Sequence, residues 1–198
     1  GLGILIDLSG NDEYQGDKLT QGAAIGGLGL LVDGAGNDIH SSFGYAQGFG
    51  GPLGIGTIMD VSGDDYYQCG KHYPSSYNET DVPGGDPNDP NFQYDSFCMG
   101  FGTGTLYRDP QLKSSALAGG RGMMIDVDGN DRYRSANFSQ GSAYFFGAGI
   151  KLDLGGDDQH AGARYGQGTA AHFGVGLFID FRGSDHYSSS GPIYNGGS

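Results

Sequence analysis

Paired aspartates are the residues of this chain whose type and spacing could do chemistry. Each pair frames a glycine in Asp-x-x-Gly-x-Asp: Asp7 and Asp12, Asp33 and Asp38, Asp60 and Asp65, Asp126 and Asp131, Asp153 and Asp158, Asp180 and Asp185. A glycine turn opens backbone carbonyls beside the carboxylates, and that mixture of oxygens is the donor set Ca²⁺ prefers. The competing chemistry is local, because an Asp side chain also caps a tight turn by accepting hydrogen bonds from backbone amides. His and Cys are too sparse and too irregular to build a zinc site.

The elements that position these carboxylates follow from the period. The first Asp returns after 26, 27, 66, 27 and 27 residues, and a fixed period of this length specifies a stacked repeat. Glycine stands six and four residues before every first Asp. Around these glycines run Leu2, Ile4, Ile6; Leu28, Leu30, Val32; Ile55, Thr57, Met59; Met123, Ile125; Ala148, Ile150, Leu152; and Val175, Leu177, Ile179. This period-two alternation predicts a strand with these apolar side chains turned inward. The glycine pairs would then share the outer face with Leu5, Leu31, Ile58, Met124, Lys151 and Phe178, as a flat strip for a contact; a strand buried on both faces is the alternative. The expected fold is all-β: a single repeat domain over 1–198, a right-handed parallel β-solenoid (β-helix) of about six coils with one 27-residue repeat per coil. Coils about 4.8 Å apart would stack carboxylate on carboxylate, which repel unless protonated, hydrogen-bonded or bridged by cations. The column Tyr14, His40, Tyr67, Tyr133, His160, Tyr187 should stack, and Gln21, Gln47, Gln140 and Gln167 should form an amide ladder.

Composition narrows the function classes. Glycine is extreme at 41 residues but lacks a Gly-X-Y period, which excludes collagen, and the 13 Tyr and 11 Phe argue against disorder. The net charge of −13 is carried almost wholly by Asp, a field that excludes nucleic acid and anionic membrane surfaces as partners. A cation, a glycan or another protein chain fits it better, self-association included. No apolar run approaches the roughly 20 residues of a membrane helix. The chain opens in mid-repeat at Gly1-Leu2-Gly3, as expected of a mature or trimmed fragment, so the lack of a signal peptide carries no weight.

The turn Gly34-Ala35-Gly36-Asn37-Asp38-Ile39, like Gly155-Gly156-Asp157-Asp158, resembles the Gly-Gly-x-Gly-x-Asp repeat of RTX-type calcium-binding parallel β-rolls. The resemblance implies that Asp12, Asp38, Asp65, Asp131, Asp158 and Asp185 take the place of the calcium-ligating Asp. Two departures stand beside it. RTX motifs recur every nine residues or so, against 27 here, and the first Gly is replaced by Leu8, Val61, Val127 or Phe181.

The third repeat is broken by insertions at about 70–96 and 103–119, the first bracketed by Cys69 and Cys98. A disulfide closing that loop would place the protein in an oxidising compartment; two free thiols are the other possibility. The insertion supplies a candidate contact loop of His72, Tyr73, Tyr77, Asp81, Asp86, Asp89 and Tyr94. Parallel β-helices also host polysaccharide lyases and glycosidases, so an enzyme with its site near 70–119 is the alternative, although no spacing there singles out a catalytic pair. The expectation is an extracellular or cell-surface, Ca²⁺-stabilised solenoid serving as a structural or adhesive/binding module.

Overall fold

The computed structural model of the chain describes residues 1–78, 87–89, 91–107 and 115–190. The 27-residue period becomes six stacked coils built on two six-stranded parallel sheets. The first sheet holds Leu2–Ile6, Leu28–Asp33, Ile55–Asp60, Arg121–Asp126, Ala148–Asp153 and Val175–Asp180, one strand per coil in chain order. The second holds Glu13–Lys18, Ile39–Gly44, Tyr66–Cys69, Arg132–Ser135, Gln159–Gly162 and His186–Ser189, again in chain order. Register is strict: Asp33 lies against Asp60, Asp60 against Asp126, and Asp126 against Asp153. Each Asp-x-x-Gly-x-Asp turn links the two sheets, and a third segment folds back beneath the first sheet before the next coil begins.

The alternation in the first sheet is real, but its faces are the reverse of the sequence expectation. Leu31, Ile58, Met124 and Lys151 are at most 2 % exposed, whereas Leu30, Val32, Met59 and Ile125 are only partly covered and Ile4 and Ile6 are exposed. The reason is the third segment, whose backbone lies directly on the glycine face. A Cβ on Gly56 would sit 1.9 Å from the Phe49 carbonyl oxygen, and one on Gly122 would sit 2.1 Å from that of Phe101. Glycine therefore paves the inside, where backbone rests on backbone and no side chain fits. The turn glycine is required on two counts: Gly156 and Gly183 hold φ values of 145° and 142° that other residues rarely adopt, and a Cβ on Gly63 would meet the Gly36 oxygen one coil away at 1.5 Å.

Two aromatic stacks run through the interior. Tyr14, His40, Tyr67, Tyr133, His160 and Tyr187 stack as the sequence predicts, with centroids 4.6–5.1 Å apart and ring planes within 15°. A second stack, Tyr45–Phe97–Phe138–Tyr165, has spacings of 4.8, 4.8 and 5.0 Å. Its members sit in the left-handed region at φ 53–63°, and Gln21, Gln47, Gln140 and Gln167 share that region at φ 51–58°. The glutamines do not form an amide ladder. Each Nε2 instead bonds across two coils: Gln47 donates to the carbonyls of His40 and Gln68, and Gln167 to those of His160 and Ser188.

Both insertions of the third repeat leave as antiparallel pairs. Tyr73–Pro74 pairs with Tyr94–Cys98, and Thr105–Tyr107 with Ser115–Leu117. Cys69 and Cys98 form a disulfide across the base of the first. Because the glycine strip is interior, the described residues of the insertions do not lie over it.

Candidate metal centre

The turns hold their aspartates by two hydrogen-bond ladders that run in opposite directions. Along the inner one, the backbone N–H of each second Asp donates to Oδ1 of the second Asp one coil later: Asp12 to Asp38, Asp38 to Asp65, Asp65 to Asp131, Asp131 to Asp158 and Asp158 to Asp185, at 2.6–2.9 Å. Along the outer one, the preceding residue donates to the coil before: Asn37 to Asn11, Asp64 to Asn37, Asn130 to Asp64 and Asp157 to Asn130. So the backbone-capping reading of the aspartates accounts for one oxygen of every second Asp after Asp12.

From the second coil on, the first Asp is held at one oxygen too. Its Oδ2 accepts from a phenol of the aromatic column: Tyr14 to Asp33, Tyr67 to Asp60, Tyr133 to Asp126 and Tyr187 to Asp180, at 2.5–3.0 Å. In the fifth coil the column holds His160 instead, and Asp153 Oδ2 takes its bond from Lys151 Nζ at 2.9 Å. The opposite oxygens have no partner among the described residues. These are Asp33, Asp60, Asp126 and Asp153 Oδ1, together with Asp12, Asp38, Asp65 and Asp158 Oδ2.

Where two coils meet, these carboxylates converge. Asp12, Asp33 and Asp38 form one group, Asp38, Asp60 and Asp65 a second, Asp65, Asp126 and Asp131 a third, and Asp158, Asp180 and Asp185 a fourth. Within each, one oxygen per residue lies within 4.8 Å of the others, a spread that a Ca²⁺ with bonds of about 2.3–2.6 Å spans. The sequence expectation is a turn that opens backbone carbonyls beside these carboxylates; in the structure Asp33, Asp38, Asp60, Asp65, Asp126, Asp131, Asp153 and Asp158 are at most 2 % exposed and point inward. Asp7 belongs to none of these groups and only accepts from the Ser9 amide. Asp153 and Asp158 group with His160, whose imidazole burial and the nearby Lys151 hold neutral, far below its usual titration range.

The electrostatic cost is plain. Burial, opposed by the hydrogen bond from the neighbouring Asp amide and aided by nearby carboxylates, pushes Asp65 and Asp131 to about 8 and Asp158 to about 7. Asp126 is raised too, chiefly by burial, with the Lys151 charge working against the shift. A buried carboxylate short of hydrogen-bond donors takes up a proton or acquires a cation. At one level the chain supplies its own. Lys151 occupies the interior column of Leu31, Ile58 and Met124, is 0 % exposed, and sits 3.3 Å from the centre of the Tyr133 ring.

The contact-loop candidates are not brought together. His72 stacks on Phe43 at 4.8 Å, and Tyr73 donates to Asp17 beside Lys18, so both face the first two coils. Tyr77 instead meets the hydroxyls of Tyr144 and Tyr165 beneath the Arg164 guanidinium. Asp89 closes a local turn by accepting from Asn91, and Tyr94 lines a cleft of about 180 Å³ with Gln68, Lys71, Gln93, Arg134 and Asn137. Asp81 and Asp86 lie outside the described residues. Sequence reasoning passed over Asn137, which is 1 % exposed and whose Nδ2 bonds Ser75, Gln93 and Asp95 to weld the insertion to the fourth coil. Nothing periodic marks it. Lys151, by contrast, was visible as the single charge in its column.

No family model, curated protein or solved structure matches this chain. The functional reading therefore rests on the site alone. Asp65 belongs to two groups, and its replacement separates metal ligation from hydrogen bonding. Asp65→Asn keeps an oxygen for the Asp38 amide but loses the charge. In EDTA at pH 8 this variant should be more stable than the parent by about 1–3 kcal/mol, and in Ca²⁺ less stable by a similar amount. Chemical denaturation under both conditions reads this; a change of the same sign in both would remove Asp65 from any cation site.

Proposed function

We propose that the protein is an extracellular β-solenoid whose interior carboxylates bind Ca²⁺, and that it serves as a structural or binding module with its first insertion as the contact surface. One observation carries the reading: where a coil has a cation of its own, Lys151, that cation lies inside the solenoid on Asp153, the first Asp that no phenol reaches. The other levels repeat the carboxylates without a Lys. Hard oxygens at this spacing suit Ca²⁺, and the likeness of the turn to RTX-type repeats points the same way. The Cys69–Cys98 disulfide suggests a location outside the cytoplasm. Among the described residues no helix is long and apolar enough to cross a membrane. Calorimetric titration of EDTA-treated, dialysed protein tests the reading. More than one Ca²⁺ should bind per chain, with protons released; no heat and no binding would end it.

Titration gives a second check. In the cation-free protein Asp65, Asp131 and Asp158 titrate near 7–8 when folded, against about 4 when unfolded. Between these values the native state holds more protons, so stability falls as pH rises from about 4 to 8. Thermal midpoints in EDTA should therefore decline across that window, and saturating Ca²⁺ should flatten the decline. A midpoint in EDTA that rose with pH would contradict the buried column.

A polysaccharide-active enzyme is the second reading. What favours it is Asp95, raised by burial against hydrogen bonds from Ser75 and Asn137, beside the cleft that holds Lys71 and Arg134. Turnover of acidic and neutral polysaccharides, compared between parent and Asp95→Asn, would decide for or against it.

A further inference from the structure

The outer face of the first sheet is a flat apolar surface. Every coil contributes three outward residues from its strand, and all are apolar except Thr57 and Arg121. A fourth outward column follows the first Asp, where Leu8, Val61 and Phe181 are 77, 36 and 59 % exposed. These are the positions at which the turn departs from a Gly-Gly-x-Gly-x-Asp pattern, so the departures extend the face around the corner. No acidic side chain stands in any of the four columns, although the chain carries a net charge of −13.

We infer that this face is the interface between two copies of the chain, packed sheet on sheet. Six strands about 4.8 Å apart and four outward columns about 7 Å apart outline roughly 600 Å² of flat apolar surface. That approaches the ~800 Å² per partner of a standard stable interface and stands at the top of the range of about 300–600 Å² for the largest patch a monomer leaves in water. The occupant follows from the chemistry. A uniformly apolar plane without directed polar groups is complementary to itself, and two such sheets interdigitate about 10 Å apart. An anionic lipid surface is disfavoured by the acidic field of the remaining molecule. Pairing also keeps that field outward, with Arg121 at the margin.

The test is the molar mass of the chain in Ca²⁺ buffer by light scattering and sedimentation. The parent should run as a dimer, and Ile150→Lys, within the face on the fifth strand, should weaken the dimer at least tenfold while preserving the circular dichroism of the fold. Should Ile150→Lys fail to fold, Thr57→Lys probes the same plane from a position that is already polar. A monomeric parent overturns the inference, as does a dimer indifferent to the Lys substitutions. So does a monomer that floats with zwitterionic phosphatidylcholine vesicles, which would make the occupant a lipid surface.

Discussion

Restoring Ca²⁺ to EDTA-treated protein should raise its thermal midpoint by more than about 10 °C. The groups Asp12–Asp33–Asp38 and Asp65–Asp126–Asp131 share no ligand, so they can be counted separately. A site held at about 100 times its dissociation constant contributes roughly 2.7 kcal/mol of native-state stabilisation. Two such sites give about 5 kcal/mol, and a chain of this size gains roughly 2–4 °C per kcal/mol. Scanning calorimetry in EDTA, then with Ca²⁺ and separately with Mg²⁺, reads the effect. Mg²⁺ should do less, because it demands shorter bonds and near-octahedral geometry. Equal midpoints in EDTA and Ca²⁺ would mean that the unpartnered oxygens hold protons, and the solenoid would then be stable without metal.

Replacing Lys151 by Met should be the most damaging single change to the cation-free protein, and Ca²⁺ should repair much of it. Met124 occupies the same interior column one coil earlier, so Met fits the space and the substitution removes only the ammonium. Its loss leaves Asp153 Oδ2 without a donor in an environment closed to water, at a cost of about 3–5 kcal/mol. In Ca²⁺ the level between the fourth and fifth coils would match its neighbours, with Asp131, Asp153 and Asp158 free to share an ion. Denaturation midpoints of Lys151→Met and parent, each with and without Ca²⁺, give the comparison. A loss of equal size under both conditions would show that Lys151 acts through packing and its aromatic contacts alone.

Much of the architecture was legible because one period governs the chain. The spacing of first aspartates specifies the coils, the alternation specifies the strands, and Tyr14 to Tyr187 stack for the reason their column suggested. Which strand face is buried was not legible. Alternation distinguishes two faces but does not say which is inside, and apolar Leu30 or Ile125 looked the better core beside glycine. The answer lay in a contact distant in sequence: the third segment rests its carbonyls on Gly29, Gly56 and Gly122, and only glycine admits it. The same inversion sets the aspartates in the core and moves Lys151 from the outer face onto Asp153. Asn137 was illegible for another reason, since its partners Ser75, Gln93 and Asp95 belong to an insertion without a repeat to compare.

The two opposed ladders of the turn have a bearing on how such a molecule could grow. Every coil gives its inner amide forward and its outer amide backward, so each offers its neighbours the same donors and acceptors as the next. Nothing in the turn counts coils. A duplicated unit would slot between any two others with every bond remade, and length would be free to change by gene duplication without redesign. The third repeat already displays this latitude: its excursions leave after Cys69 and after Thr103, outside the stretch from Asp60 to Asp65 that the neighbouring coils require.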